Sequence, residues 1–218
     1  MNRENETKST VVGLVVKELR RAFLDGTLKG GDRIIQEDWA EKLKVSRMPI
    51  REALTQLETM GLVKLIPHRG AIVSSLTKED IEEIYSMRIA LEGLVVEKAL
   101  PFISEEDKVL LEKTLIEMEN LEINEENNER YVQLNNKYHK LLRQKSPWIR
   151  LMKTVENLGV SPVAPSLLYE YYQQTQREHR LIYEAVCRGS AAEVRSAVEY
   201  HILRTKNNLL EYMDMNDN

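Results

Sequence analysis

The chain has 218 residues, of which 42% are hydrophobic and 30% charged, a balance that is typical of a folded globular protein and excludes a disordered one. It contains no run of about 18 apolar residues, so we expect no membrane span, and the polar start MNRENETKST lacks the apolar segment of a secretory signal. The single cysteine, Cys187, cannot form an internal disulfide, which favours a reducing, cytoplasmic location.

The net charge of -4 is unevenly divided along the chain. Residues 1–75 hold 13 Lys and Arg against 10 Asp and Glu, a net charge of +3, and subtraction from the chain totals of 31 and 35 leaves -7 for residues 76–218. Attraction to phosphates is therefore limited to the N-terminal part. A difference of this size indicates DNA binding only in combination with other features.

The N-terminal part predicts three helices. Apolar residues at the spacing i, i+3, i+4 and i+7 form a first amphipathic helix, which we expect to stop at Asp25-Gly26. A short second helix follows the Gly-Gly turn, and its buried side consists of Trp39, Ala40 and Leu43. The third helix comes only a few residues later, which is the arrangement of a helix-turn-helix.

The third predicted helix carries basic side chains. Ser46 is a good N-cap residue, and Pro49 falls in the first turn, where a backbone N–H has no intrahelical partner to lose. Arg47, Arg51 and Thr55 follow one another at intervals of four and share the outer face. Arginine donates two parallel hydrogen bonds to guanine in the major groove. One arginine alone would be an ordinary solvated residue, but the capped helix and its spacing favour a DNA-binding surface formed by these five residues.

A β-hairpin is predicted after the third helix, which should end at Gly61. Its strands span residues 62–66 and 71–75, and Arg69 and Gly70 lie at the tip. An arginine there is placed for a phosphate or the minor groove, and glycine permits a close backbone approach. We therefore add both residues to the predicted DNA-binding set.

The rest of the sequence predicts helices only. Polar residues at 124–130 indicate a loop, and two prolines within residues 161–165 indicate a break. Capping residues mark several helix ends: Thr77, Ser104, the capping box of Ser190 and Glu193, and Gly189. We expect a mainly α protein, in which a DNA-binding domain of three helices and a β-hairpin at residues 8–75 is followed by an all-α helical bundle at residues 77–213.

Three histidines are predicted to face the core from three different helices: His139, His179 and His201. Asn135 precedes His139 by four residues and shares its side of the helix. A lone histidine on an apolar face is usually an ordinary core residue. Three of them favour neutral imidazoles that converge, with an amide oxygen, on a divalent transition metal.

Arg88 and Glu92 form an i,i+4 pair in an otherwise apolar helix. One interpretation is an ion pair within the helix or at a helix interface. The other places both residues at an effector site, where the arginine holds a carboxylate through two parallel hydrogen bonds. The sequence leaves the two interpretations open.

The segment VSRMPIREALTQLETMGLVKLIPHRGAIV closely resembles the winged helix-turn-helix of GntR-family bacterial transcription regulators. The elements SRxPIREAL, GLV and xRGxxV occur in that order, and the resemblance covers about residues 10–75. It implies that Arg47 and Arg51 read an operator and that the hairpin is the wing. Glu37 stands where some members carry a DNA-contacting arginine, so we expect no DNA contact from the second helix.

The pattern NxxxH, then REHRLIYEAVCRGS, then VEYH resembles the FCD ligand-binding domain of the FadR-type branch of that family. In metal-containing members the ligands are an Asp or Asn and three histidines, which correspond to Asn135, His139, His179 and His201. The resemblance implies a divalent transition metal such as zinc or nickel, and effectors that are often small carboxylic acids. An amide oxygen is a weaker ligand for a hard cation than a carboxylate is, which bears on the identity of the metal.

We therefore expect a homodimeric transcription regulator, not an enzyme, that binds a palindromic double-stranded DNA operator and senses a small organic acid. One alternative is a metal-free regulator whose C-terminal half only dimerises or binds an acyl ligand. Another is a metal-dependent enzyme with an attached DNA-binding module, although no acidic residue stands in an HExxH-like relation to the histidines. The sequence names neither the effector nor the operator, and leaves open repressor or activator.

Overall fold

The computed structural model describes residues 3–24, 27–67, 70–75, 77–124, 126–158 and 171–216. These residues form two compact units, one that extends to Thr77 and one that begins at Lys78. Among the described helices, none combines the length and the apolar character that crossing a bilayer requires.

The N-terminal unit contains three helices and a small antiparallel sheet. Its elements are α1 Arg3–Leu24, β1 Arg33–Ile34, α2 Gln36–Leu43, α3 Arg47–Thr59, β2 Val63–Ile66 and β3 Gly70–Val73. The strand order is β1-β3-β2, so β3 is central. The predicted helices and hairpin are confirmed, and the structure adds β1. The predicted end of the first helix at Asp25-Gly26 lies outside the described residues.

The core of this unit fixes which way α3 faces. Ile50, Ala53, Leu54 and Leu57 are fully buried and recur at helical spacing, against apolar residues of α1 such as Leu19. Burying each of the larger side chains contributes roughly 1.5–3 kcal/mol. Rotating α3 about its axis would expose them, so the opposite face is held outward.

Gly70 has a structural reason to be glycine. Its φ of +90° lies in the region that L side chains rarely adopt, and a Cβ built there would sit 2.3 Å from the carbonyl oxygen of Ile34. The close approach is part of the pairing between β1 and β3, in which Ile34 lies opposite Ala71. The glycine therefore lets the central strand start beside its neighbour, whatever its part in DNA binding.

Gly70→Ala is expected to lower the melting temperature more than Gly31→Ala does. Gly31 also has a positive φ, +88°, but a Cβ there meets nothing within 4 Å. The control should cost about 1–2 kcal/mol for the left-handed conformation alone, whereas the collision at Gly70 should bring the cost to about 3 kcal/mol or more. Thermal unfolding followed by circular dichroism measures both, and equal melting temperatures would disprove the steric explanation.

The second unit consists of helices in the part of the chain described. They are α4 Lys78–Ala99, a 3-10 turn at Leu100–Phe102, α5 Glu105–Glu119, α6 Asn128–Arg143, α7 Ile149–Leu158, α8 Tyr172–Arg188 and α9 Ala191–Asn216. α9 packs along α4 and α8, and α5 packs against α6 and α8. The loop predicted at residues 124–130 is shorter than expected, because α6 already begins within it. The predicted break at residues 161–165 lies outside the described residues.

Side-chain caps hold two of these helix starts. The backbone N–H of Asp107 donates to Ser104 Oγ at 3.2 Å and that of Ser104 donates to Asp107 Oδ2 at 3.0 Å, a complete capping box. The backbone N–H of Glu193 donates to Ser190 Oγ at 3.4 Å. Ser46 differs from the expectation, since it occupies the N-cap position of α3 without a side-chain hydrogen bond to that helix.

Candidate functional site

Three helices bring three histidines together in the second unit. His139 lies on α6, His179 on α8 and His201 on α9. One ligand nitrogen from each residue can be chosen so that all lie within 4.8 Å of one another. The ring centroids are 4.8 to 5.2 Å apart. The convergence that the sequence predicted is therefore present.

His179 and His201 are buried and His139 is half-buried, and lowered pKa values keep His139 and His179 neutral. Burial, and then the neighbouring imidazoles, hold the pKa of His139 well below its usual range, and the positive charges of Arg143 and Arg88 add to the effect. Burial, and then His201, likewise lower the pKa of His179. Within the described part of the chain, neither ring nitrogen of His179 has a hydrogen-bond partner. Since an unsatisfied buried polar atom costs free energy, and a neutral ring has a lone pair to offer, the cluster fits a cation that binds nitrogen.

Glu178 orients the third histidine. The residue is almost fully buried, with 4% of its surface exposed, and its carboxylate lies 2.9 Å from His201 Nδ1. Because a carboxylate oxygen accepts, Nδ1 donates, which leaves the lone pair of His201 on Nε2. Arg204 makes an ion pair with the same carboxylate. Glu178 was not predicted from the sequence, in which its helical spacing from the buried Ile182 was the available signal.

Two buried tyrosines tie α6 to α8 on the same side of the bundle. The hydroxyl of Tyr138 donates to the carbonyl oxygen of His179 at 2.7 Å, and burial raises the pKa of that hydroxyl. One turn earlier, Nε2 of Gln176 donates to the hydroxyl of Tyr131 at 3.0 Å. These bonds hold together the two helices that supply His139 and His179.

Asn135 is half-buried and lies one turn before His139 on α6. Residues four apart share one face of a helix, so its amide is on the side of the cluster. Its part in metal binding remains a prediction.

Arg88 and Glu92 form an ion pair within α4, which is the first of the two interpretations that the sequence left open. Arg88 Nε lies 2.7 Å from Glu92 Oε1, and the side chains are only 18% and 6% exposed. The guanidinium also stacks over Tyr85, 4.6 Å from the ring centroid. Burial opposes the charge of Arg88, but attraction to Glu92 and Tyr85 outweighs it and raises the pKa of the guanidinium. The arginine is therefore a fixed positive charge near His139.

Arg143 is a second positive charge beside the histidines, which the sequence analysis did not select. It lies one turn after His139 on α6 and contributes to the lowered pKa of that residue. Its Nε is buried and has no hydrogen-bond partner among the residues described. An orphaned cationic donor next to neutral imidazoles favours an anionic ligand.

The predicted DNA-binding residues occupy different environments on the first unit. The exposed outer face of α3 carries Arg47, Arg51 and Thr55, and the hydroxyl of Thr55 donates to the carbonyl oxygen of Arg51 at 3.0 Å. Ser46 is exposed, whereas Pro49 is buried in the first turn.

Two other features affect this face. Nη1 of Arg47 lies 2.6 Å from Glu37 Oε1 on α2. Gly70 begins β3, and Arg69 lies outside the described residues. The face therefore offers two exposed arginines one turn apart, the first of them already paired.

Family models match both parts of the chain. Residues 13–73 match the model described as bacterial regulatory proteins, gntR family, and residues 83–204 match the FCD domain. Over 200 residues the chain is 34% identical to the HTH-type transcriptional regulator YdhC of Bacillus subtilis (strain 168), which covers 90% of this chain and 88% of that protein.

Two further relatives are more distant. The HTH-type transcriptional repressor RspR of Escherichia coli (strain K12) is 24% identical over 194 residues, covering 86% of this chain and 84% of the repressor. The structure of E. coli McbR/YncC has a TM-score of 0.78 at 21% identity and covers 93% of this chain and 98% of that one. At that identity the structural match shows the fold alone.

Proposed function

Because this chain belongs to the GntR family of bacterial regulatory proteins and carries an FCD domain, we propose that it is a homodimeric regulator whose operator binding responds to a small carboxylate at a metal site. Membership of this family makes the chain a transcriptional regulator and not an enzyme. The cluster of His139, His179 and His201, of which the last two are buried, is the observation that carries the metal and effector parts of the proposal.

The donor set fits a divalent transition metal such as zinc or nickel. Three neutral imidazoles on three helices would hold the ion, and Asn135 would add an amide oxygen. When bound, the metal would attract an effector oxygen as a Lewis acid. Glu178 would keep His201 in the tautomer that binds metal through Nε2.

The surrounding charges suit a carboxylate. Arg88 and Arg143 both act on His139 through their positive charge. Of the two, Arg143 has a buried nitrogen without a partner in the described residues, so an anion would satisfy it. Glu92 holds Arg88 in place and neutralises part of the positive charge. A small acid with one or more carboxylates is therefore the effector class that this lining favours.

Effector binding at this site would change the affinity of the protein for DNA. An effector that binds two conformations of the regulator unequally shifts their populations, and by linkage the operator and the effector affect each other's affinity equally. A two-fold symmetric dimer reads a palindromic operator through two copies of α3.

Arg88→Lys is expected to weaken carboxylate binding about tenfold, because lysine lacks the planar pair of donors of arginine. The fold should be retained, since lysine keeps the positive charge beside Glu92. The measurement is a thermal-shift titration of zinc-loaded protein with small mono-, di- and tricarboxylates. Arg150→Lys, an exposed arginine of α7, is the matched control. Equal responses in both variants would remove Arg88 from the effector site, and a wild type that responds to no carboxylate would refute the effector class.

Glu178→Gln is expected to reduce zinc affinity about 10- to 100-fold, because the amide no longer supports His201 with a full negative charge. Competition with a chromophoric chelator measures the affinity. Glu184→Gln, on the exposed side of the same helix, makes the same change away from the histidines. Thermal melts of the metal-free proteins separate this effect from the loss of the Arg204 ion pair, and an unchanged zinc affinity would contradict the orienting role.

A further inference from the structure

The first unit contains an ion pair on its exposed side that joins the two helices of the helix-turn-helix. Glu37 is the second residue of α2 and Arg47 the first of α3, and their side chains meet at 2.6 Å between Oε1 and Nη1. The two side chains are 54% and 68% exposed. The contact therefore lies on the surface, away from the apolar core that holds these helices together.

The turn between α2 and α3 fixes the distance that this pair spans. Lys44 adopts the left-handed conformation, with φ 54° and ψ 43°, and its backbone N–H is bonded to carbonyls of the last turn of α2. The N–H of Val45 donates to the carbonyl oxygen of Ala40 at 3.0 Å. With the backbone held in this way, the two charged side chains start from set positions, and their contact is a property of the local fold.

Stability does not account for the pair. Exposed ion pairs contribute little to folding, because both charges are well solvated and two long side chains lose rotamer freedom. On a surface that meets DNA, moreover, a carboxylate is repelled by the phosphates. The contribution of Glu37 must therefore be its effect on Arg47.

A carboxylate that binds one nitrogen of an arginine restricts the orientation of the guanidinium but leaves its other N–H groups available. The guanidinium has five N–H donors in a rigid plane, so donors remain for the N7 and O6 acceptors of guanine while the carboxylate holds one of them. A free arginine at the same place would bind any nearby phosphate, which carries no sequence information. The carboxylate thus favours contacts of the arginine with base edges over contacts with the DNA phosphates.

We propose that Glu37 is a specificity-determining residue, which holds the Arg47 guanidinium in the orientation that reads a base edge. It acts through Arg47 and is a positioning residue. The inference rests on the proposed role of α3 as the recognition helix.

The test is selection of DNA from a random 30-base-pair duplex library by the full-length protein, as wild type, Arg47→Ala and Glu37→Ala. The base pair whose preference disappears in Arg47→Ala identifies the position that this arginine reads. At that position Glu37→Ala is expected to lose about tenfold in discrimination, which corresponds to about 1.4 kcal/mol. Its binding to unrelated duplex should become tighter, and the slope of log affinity against log salt should steepen by about two for the dimer, because the freed arginine of each subunit can contact one phosphate.

Glu41→Ala is the matched control. Glu41 is an exposed acid on the same helix, four residues after Glu37, so its removal changes the charge equally. It should strengthen binding to DNA of any sequence without changing the base preference. A Glu37→Ala protein that keeps the wild-type preference would overturn the inference, as would equal relaxation in Glu41→Ala.

The double variant of Glu37→Ala and Arg47→Ala completes a double-mutant cycle, and the single variants separate this inference from the proposed function. In the Arg47→Ala background, Glu37→Ala should leave the base preference unchanged, and a further change would overturn the inference. If Arg47→Ala alters the preference and Glu37→Ala does not, only the role of Glu37 is wrong. If Arg47→Ala leaves every preference intact, Arg47 reads no base and the role of Glu37 is wrong, whereas the assignment of α3 as the reading helix is still decided by Arg51→Ala.

Discussion

Arg51→Ala is expected to abolish detectable operator binding at moderate salt. A bidentate arginine–guanine contact contributes about 1–3 kcal/mol of discrimination, and a dimer on a palindrome would lose two such contacts. The combined loss of about 2–6 kcal/mol corresponds to a decrease in affinity of roughly 30-fold to more than 10,000-fold. Arg51 is exposed on α3 and is not part of the apolar core that contains Leu54 and Leu57, so its removal should leave the fold unchanged.

An electrophoretic mobility shift with a selected operator fragment measures this loss. Arg150→Ala removes the same charge from an exposed position of the second unit and should bind as the wild type does. Circular dichroism of both variants verifies folding. If Arg51→Ala shifts the fragment as strongly as Arg150→Ala, α3 is not the helix that reads the operator.

Substitution of any one clustered histidine by alanine is expected to remove bound zinc after dialysis. His139, His179 and His201 each supply one ligand, and the loss of a direct ligand should cost more than the roughly 10- to 100-fold that an orienting residue contributes. His68 provides the matched control, because it is the one histidine of the sequence that lies in the N-terminal part.

Metal content per chain, measured by atomic emission, gives the result directly. About one zinc per chain is expected for the wild type and for His68→Ala, and close to none for the three cluster variants. Equal, negligible metal content in all five proteins would rule out a metal site at these histidines. In that case the metal-free alternative, a dimerising or acyl-binding domain, becomes the better account.

The sequence predicted the DNA-binding unit well because its periodicities are local. Ile50, Ala53, Leu54 and Leu57 mark the buried side of α3 by spacing alone, and the structure buries all four. β1 was missed because two residues are too few to show alternation. Its place in the sheet depends on pairing with β3, almost 40 residues away, as Arg33 opposite Ile72 illustrates.

The histidine cluster was predicted only in part, because it too depends on contacts between distant parts of the chain. Helical spacing placed His139, His179 and His201 on inward faces, but their approach to within 4.8 Å depends on how three helices pack. Glu178 was missed because its partner, His201, lies 23 positions away on another helix. Glu37 was noticed only as an unusual residue, since its contact with Arg47 crosses the turn between two helices. Tertiary contacts of charged residues are what a single sequence shows least.

Operator affinity in the presence of small acids shows whether the histidine cluster controls DNA binding. Fluorescence anisotropy of a labelled, selected operator would be followed with zinc-loaded full-length protein across mono-, di- and tricarboxylates. At least one acid is predicted to change the wild-type Kd by about 5- to 150-fold, the usual range of coupling between two sites, and to have no effect on His139→Ala. A Kd that no acid changes, or one that changes equally in His139→Ala, would contradict the claim that this cluster controls DNA binding.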